Sequence, residues 1–282
     1  MKLAVNFSDT LLALLKEDPM LPIDYIKVPM GSFPGCLDQY SVGKKLRPLI
    51  SHIGQAGILD ILNIDQVKIL DIQILNKIID LSDPIKLSTH VNGHISYFPE
   101  FVEHQHSFCE PLANAIKQRF LDTVEIYKQH YQYIFSIENW PYYSFANDYR
   151  ICSDPGFISE LCNISGCGFL LDISHARVSA HFFKMDIFKY LDMCPLDKLT
   201  EIHFSGSSVY KDKDFLWDSH TEFDNYDLEL LNYVLSKSKP DVITIEYGGL
   251  PNYQKDLEGG YIMLDRNNPQ KLLNMIYRMG GR

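Results

Sequence analysis

Long apolar runs are missing from this 282-residue chain. No window approaches the roughly 18 to 20 consecutive apolar residues of a membrane span, which excludes a transmembrane helix. Runs of Lys and Arg are missing too. With 26 basic against 36 acidic residues the net charge is −10, so nucleic acid is disfavoured as a partner, since phosphate binding needs clustered positive charge. The six cysteines (Cys36, Cys109, Cys152, Cys162, Cys167, Cys194) contain no CxxC pair. That scatter fits neither a disulfide framework nor a zinc knuckle, and implies thiols in a reducing compartment. No GxSxG elbow supports a Ser/His/Asp triad, and no Gly-rich turn supports a dinucleotide site. The N-terminal MKLAVNFSDTLLALLKEDP is interrupted by Asn6, Ser8 and Asp9 and lacks a small-residue cleavage site. It reads as a strand and a helix, not a signal peptide, so a cytoplasmic protein is expected.

Alternating strand and helix patterns fill the chain. Strands are expected at Leu3–Phe7, Tyr25–Val28, Pro48–Ile53, Ile85–His90, Tyr133–Glu138, Phe169–Asp172, Glu201–Phe204 and Val242–Glu246. Helices are expected at Thr10–Lys16, Asp65–Leu81, Pro111–Tyr131, from Asp154-Pro155 to Cys162, at Val178–Leu191, Tyr226–Ser236 and Pro269–Met279. Eight strands alternating with helices argue for an α/β TIM-type (β/α)8 barrel over residues 1–282, as one domain. The link between the second and third strands is the irregular crossover: PMGSFPGCLDQYSVGKKLRP has weak helical character and reads as a long loop, a candidate lid.

The most telling stretch is GFLLDISHA, Gly168 to Ala176, a strand that ends in Asp172 with His175 three residues on. The same construction recurs in PLISH at His52, IKLSTH at His90, IFSIEN at Glu138, EIHFSG at His203 and ITIEY at Glu246, and WDSH, in the loop of about 20 residues expected between the seventh strand and the next helix, adds Asp218 and His220. One histidine at a strand end is ordinarily just hydrogen-bonded or half-exposed. A carboxylate closing an apolar strand needs a cation nearby. Ligand-type residues near the carboxyl ends of six strands point to a polynuclear metal site at the catalytic rim. Five His and four carboxylates suit Fe, Mn or Zn and exceed what one ion needs, so two or three ions are expected. This leaves a hydrolytic two-metal site and an oxygen-activating iron site both open. His94, His104 and His106, in the loop after the fourth strand, read as surface residues that could gate the site. His130 and His181 fall on helices and read as structural. Gly206 and Gly248-Gly249 read as tight rim turns.

LLDISHARVSA, SIENWP, EIHFSG, DSH and IEYGG together resemble the multinuclear non-heme iron-dependent oxidative enzymes, across roughly residues 20 to 250. Within that family the DISHARVSA stretch is most similar to the MbnB branch of methanobactin biosynthesis. The resemblance implies a barrel holding two or three iron ions. It also implies an O2-dependent four-electron oxidation of a cysteine in a ribosomally made precursor peptide, giving an oxazolone with an adjacent thioamide. A heterodimer with an MbnC-like partner protein is implied as well. Carried onto matching positions, the iron ligands are His52, His90, Glu138, Asp172, His175, His203, Asp218, His220 and Glu246. No catalytic base is identified. Two alternatives remain: another cysteine modification of the same family, and a Zn- or Mn-dependent hydrolase or isomerase of xylose-isomerase-like barrel type.

Overall fold

The computed structural model describes residues 1–29, 36–53, 61–63, 86–130, 134–209, 216–247, 253–255, 261–263 and 268–280, with residues 73, 76 and 80. The barrel strands are β1 (Lys2–Asn6), β2 (Tyr25–Pro29), β3 (Leu49–Ile53), β4 (Lys86–His90), β5 (Ile134–Glu138), β6 (Gly168–Asp172), β7 (Leu199–Phe204) and β10 (Val242–Ile245). They close in the order β1-β10-β7-β6-β5-β4-β3-β2, and every neighbouring pair is parallel. The expected (β/α)8 barrel is therefore the fold. Both faces of these strands are covered, and their apolar residues are interrupted by the buried polar side chains of Lys27, Ser51, Ser88, Ser136, Glu201 and Thr244.

Helices α1 (Asp9–Glu17), α2 (Cys36–Gly43), α3 (Glu110–His130), α4 (Pro155–Ser165), α5 (Ile173–Phe183), α6 (Ile187–Met193), α7 (Asn225–Lys237) and α8 (Pro269–Gly280) surround it. In α8 the buried residues Leu272, Met275, Ile276 and Met279 recur at three- and four-residue spacing, the stripe that seats a helix on a sheet. Asp154 caps α4, its Oδ1 accepting from the Gly156 and Phe157 amides at 3.0 and 3.1 Å, with Pro155 in the first turn.

Three expectations need correcting. The helix read at Val178–Leu191 is two, α5 and α6, broken where Lys184 turns left-handed at φ 54° and Asp186 caps a new start; apolar spacing alone does not reveal such a break. The crossover between β2 and β3 contains α2, so its described part is not a plain loop. The stretch between β7 and α7, read as a loop, carries an antiparallel ribbon of β8 (Gly206–Val209) and β9 (Leu216–Thr221). A Cβ on Gly206 would lie 2.4 Å from the Glu222 carbonyl, so only glycine lets the ribbon fold back that closely. A second ribbon pairs β11 (Tyr253–Lys255) with β12 (Tyr261–Met263). The helix expected at Asp65–Leu81 lies outside the described residues except at Gln73, Asn76 and Asp80, which are helical. Asp83-Pro84, Gly248-Gly249, residues 30–35 of the candidate lid and the side chains of Cys36 and His130 also lie outside them. No disulfide forms among the described cysteines. Among the described residues no helix is long and apolar enough to cross a membrane.

Candidate metal centre

Strand register brings donors together in pairs. His90 on β4 is the register partner of Glu138 on β5, and Asp172 on β6 that of His203 on β7. His52 is the penultimate residue of β3 and Glu246 follows β10 directly. In parallel strands such ends share one rim of the barrel. The ribbon then folds Asp218 and His220 over that rim, since alternate residues of an extended strand share a face. His220 is held at φ 48°, a strained value for a non-glycine residue and of the kind concentrated at functional sites. All nine residues expected at the site lie in one cluster.

Glu138 is its centre, 1 % exposed. Its Oε2 lies 3.4 Å from His52 Nε2 and 3.3 Å from His90 Nε2, while Oε1 lies 3.2 Å from His203 Nδ1 and 3.4 Å from His175 Nδ1. Glu246 makes a second link. Its Oε1 is 3.2 Å from His203 Nδ1 and its Oε2 is 3.8 Å from His220 Nε2, with Asn6 Nδ2 donating to Oε1 at 3.0 Å. Asp218 Oδ2 faces His175 Nε2 at 3.2 Å and His220 Nε2 at 2.8 Å. The donors thus group as His52–Glu138–His203, His90–Glu138–His175, Asp172–His203–Glu246 and His175–Asp218–His220, and each trio offers ligand atoms within 4.8 Å of one another.

Asp172 performs two tasks. Its Oδ1 accepts the His175 amide at 2.8 Å and caps α5. Its Oδ2 is buried and accepts no hydrogen bond, as is true of Glu138 Oε2. A buried carboxylate oxygen without a conventional donor is costly, and in a cluster of nitrogen donors it is what a cation would satisfy. Asp172→Asn keeps an oxygen for the cap and removes the charge. It is expected to leave thermal stability within about 1 kcal/mol of the parent while lowering bound metal, measured by elemental analysis.

Electrostatics divides these groups. Burial alone would raise Glu138, but His203, His90 and His52 hold its carboxyl well below the ordinary range. Burial also opposes charge on His203, yet Glu138 and Glu246 raise it well above an ordinary imidazole. His175 is raised in the same way, against burial, by Asp172 and Asp218. Asp172 goes the other way: burial, with Asp218, Glu246 and Glu138 nearby and only partly offset by His175, pushes it up to about 7. Four carboxylates in one pocket do not all ionise without cations beside them.

Several contributors were not picked out as ligands from the sequence. Asn139 bonds the Asp172 backbone in both directions, at 2.8 and 3.0 Å, and its carbonyl lies 2.8 Å from His175 Nδ1. A carbonyl only accepts, so Nδ1 carries the hydrogen and Nε2 is left facing Asp218. Ser174 Oγ donates to Asp218 Oδ1 at 2.7 Å, and Tyr143 OH accepts the Asp218 amide at 3.1 Å. Trp140 sits edge-on to His90, with ring centroids 4.7 Å apart. Below the donors, Lys27 and Glu201 form a buried ion pair at 3.0 Å. A lysine in the middle of YIKVP, and a glutamate two residues before His203 on the same strand face, were the available signals. Of the other histidines, His106 is exposed and bonds Tyr142 OH at 2.7 Å. His94 bonds Ser96 at 2.7 Å, and neither belongs to the donor cluster.

Comparison with known proteins decides the family. Residues 56–257, more than half of the chain, match the family described as "RiPP precursor modification enzyme MbnB/TglH/ChrH", RiPP denoting a ribosomally made, post-translationally modified peptide. The chain belongs to this family. Relatives include a UPF0276 protein of Psychromonas ingrahamii, 27% identical over 180 residues (62% of this chain, 61% of the relative). Another, from Acaryochloris marina, is 29% identical over 153 residues (52% of this chain, 51% of the relative). The chain therefore matches about three-fifths or less of the length of these curated relatives. Similar solved structures include a putative xylose isomerase from Rhodospirillum rubrum (TM-score 0.63, 13% identity, covering 100% of this chain and 99% of that one). The probable 3-DHS dehydratase AsbF from Bacillus anthracis is another (TM-score 0.59, 13% identity, 100% of both chains). At such identity these two speak for the barrel alone.

Proposed function

We propose that this member of the MbnB/TglH/ChrH family is an iron-dependent, O2-using oxidase that modifies a cysteine of a ribosomally made precursor peptide, by oxazolone and thioamide formation. The observation that carries the reading is the pair of linking carboxylates. Glu138 faces four histidines, and Glu246 faces His203 on one side and His220 on the other, so each can be shared between adjacent ions. The donor set fits two or three ions: five imidazoles and four carboxylates without sulfur suit iron, and two buried carboxylate oxygens await a cation. The ligands would be His52, His90, Glu138, Asp172, His175, His203, Asp218, His220 and Glu246.

Iron held there would supply the redox capacity for the oxidation and a Lewis acid that lowers the pKa of a substrate thiol. The balance is simple: four electrons and four protons leave the peptide, and one O2 is reduced to two waters. The chain's own residues orient and shield. Asn139 and Ser174 fix His175 and Asp218 by the bonds described above. Trp140 and Tyr143, packed beside His90 and Asp218, with Trp217 centred 5.0 Å from Tyr143, place apolar surface next to the donors. That surface limits water at the reacting centre. An MbnC-like partner in a heterodimer would help to hold the peptide's leader. The test is O2 uptake by the iron-loaded protein, with partner and a cysteine-containing precursor peptide. Uptake coupled to loss of four hydrogens from the peptide supports the reading, and a metal-dependent reaction without O2 uptake excludes it.

Metal must also displace protons. In the metal-free protein Asp172 titrates at about 7, against about 3.9 in an unfolded chain. The folded state thus keeps a proton that the unfolded state has lost. Its stabilising contribution is full below the unfolded value and is lost as pH rises from about 4 to about 7. His203 and His175, also raised, likewise lose theirs as pH climbs through their elevated values. Metal affinity should accordingly rise with pH and binding should release protons. Titration calorimetry in buffers of different ionisation enthalpy checks this, and no net proton release would contradict it.

A further inference from the structure

The barrel interior directly beneath the donors is unusually polar. Lys27 on β2 and Glu201 on β7, 1 % and 2 % exposed, meet across the lumen. Lys27 Nζ lies 3.0 Å from both Glu201 oxygens and donates to Ser88 Oγ at 2.8 Å. Thr244 Oγ1 also donates to Glu201. Burying such a pair gives little net stability, because desolvation consumes most of the attraction. Its contacts upward are more informative. Ser88 Oγ is 2.9 Å from His52 Nδ1, and Glu201 Oε1 is 3.4 Å from His203 Nε2.

Donor and acceptor counting bears on both rings. An ammonium only donates, so Ser88 Oγ accepts from Lys27, while its own hydroxyl points at the Ser51 carbonyl 3.5 Å away. Where His52 ligates through Nε2, its Nδ1–H would donate to the remaining lone pair of Ser88, while Nε2 faces Glu138 with His90 Nδ1 3.2 Å away. The Glu201 carboxylate, 3.4 Å from His203 Nε2 as a charge contact and not a formed hydrogen bond, favours a proton on that nitrogen and leaves Nδ1 facing Glu138 and Glu246. Two histidines on opposite sides of the barrel thus present different nitrogens, each for a reason located one layer down. We infer that Lys27, Ser88 and Glu201 are positioning residues that set the ligating nitrogen and ring orientation of His52 and His203. This rests on the metal reading above. Lys27 also cancels the Glu201 charge, so that the layer orients the rings without adding a fifth negative charge to the site.

Two variants test this without leaving a lone buried charge. Ser88→Ala removes the acceptor behind His52. The double variant Lys27→Met/Glu201→Gln removes both charges at once and the anionic acceptor behind His203. Each protein is loaded anaerobically with Fe(II), and with Co(II) as a spectroscopic probe. Metal affinity is measured by chelator competition, and the visible bands of Co(II) are recorded. Partners behind metal-bound histidines are worth about 10–100-fold in affinity. Losses in that range, with altered Co(II) bands and an unchanged far-UV spectrum, are expected. Affinity and bands equal to wild type, whether or not the melting temperature falls, would overturn the positioning role. Failure of the wild-type protein itself to bind either metal would instead overturn the reading beneath it.

Discussion

Glu138→Ala is expected to lose bound metal and to cut peptide oxidation by more than about 100-fold, since residues that merely orient ligands are already worth 10–100-fold. All four donor groups pass through this carboxylate or through His203 or His175, which touch it. Among the described residues no other carboxylate is paired with both the His52–His90 pair and the His175–His203 pair. The barrel itself should survive. Glu138 ends β5, and closure depends on the ladders to β4 and β6 with the packing of Phe135 and Ile137, not on its side chain. Metal analysis, activity and far-UV circular dichroism of one preparation separate the cases. Global unfolding would mean that the carboxylate is structural.

Lys27→Met is expected to destabilise the metal-free protein by about 3–5 kcal/mol, the cost of leaving one member of a buried pair uncompensated. Burial opposes ionisation of Glu201, and it is chiefly Lys27, with His203 and Thr244, that holds its carboxyl down at about 2. That low value stabilises the fold above the unfolded carboxylate range and is lost as pH falls toward 2. Without Lys27 the carboxyl must take up a proton or remain a lone charge. Adding Glu201→Leu to Lys27→Met should recover most of the loss, because replacing both members with apolar side chains is close to neutral. Urea unfolding of the single and double variants measures the coupling. A single variant within about 1 kcal/mol of the parent would show that Glu201 does not depend on Lys27 for compensation.

Much of this was legible in the residues because a parallel barrel repeats one grammar. Buried strands read as largely apolar, and in six of the eight a chemistry-bearing residue lies at or beside the carboxyl end. That is why His52, His90, Glu138, Asp172, His203 and Glu246 are recognisable in sequence and fall on one rim. What was not legible depends on three-dimensional partners. WDSH reads as a polar loop, and only its pairing with β8 makes it a strand aimed at the site. DISHA reads as a strand end with a histidine three residues on, and the sequence does not reveal that Asp172 caps a helix that begins at the next residue and holds His175 in its first turn. The break at Lys184 is a backbone reversal that no apolar spacing announces. Lys27 looks like a misplaced charge in a strand until Glu201, 174 positions away, is found facing it.

The most direct test is the metal itself. The protein is purified without oxygen from cells supplied with enriched iron, then examined by elemental analysis and Mössbauer spectroscopy. Two or three antiferromagnetically coupled iron ions per chain are expected, since nine donors exceed what one ion needs. Zinc or manganese at two ions per chain, with no redox response, would contradict the oxidase and move the chemistry to hydrolysis or isomerisation.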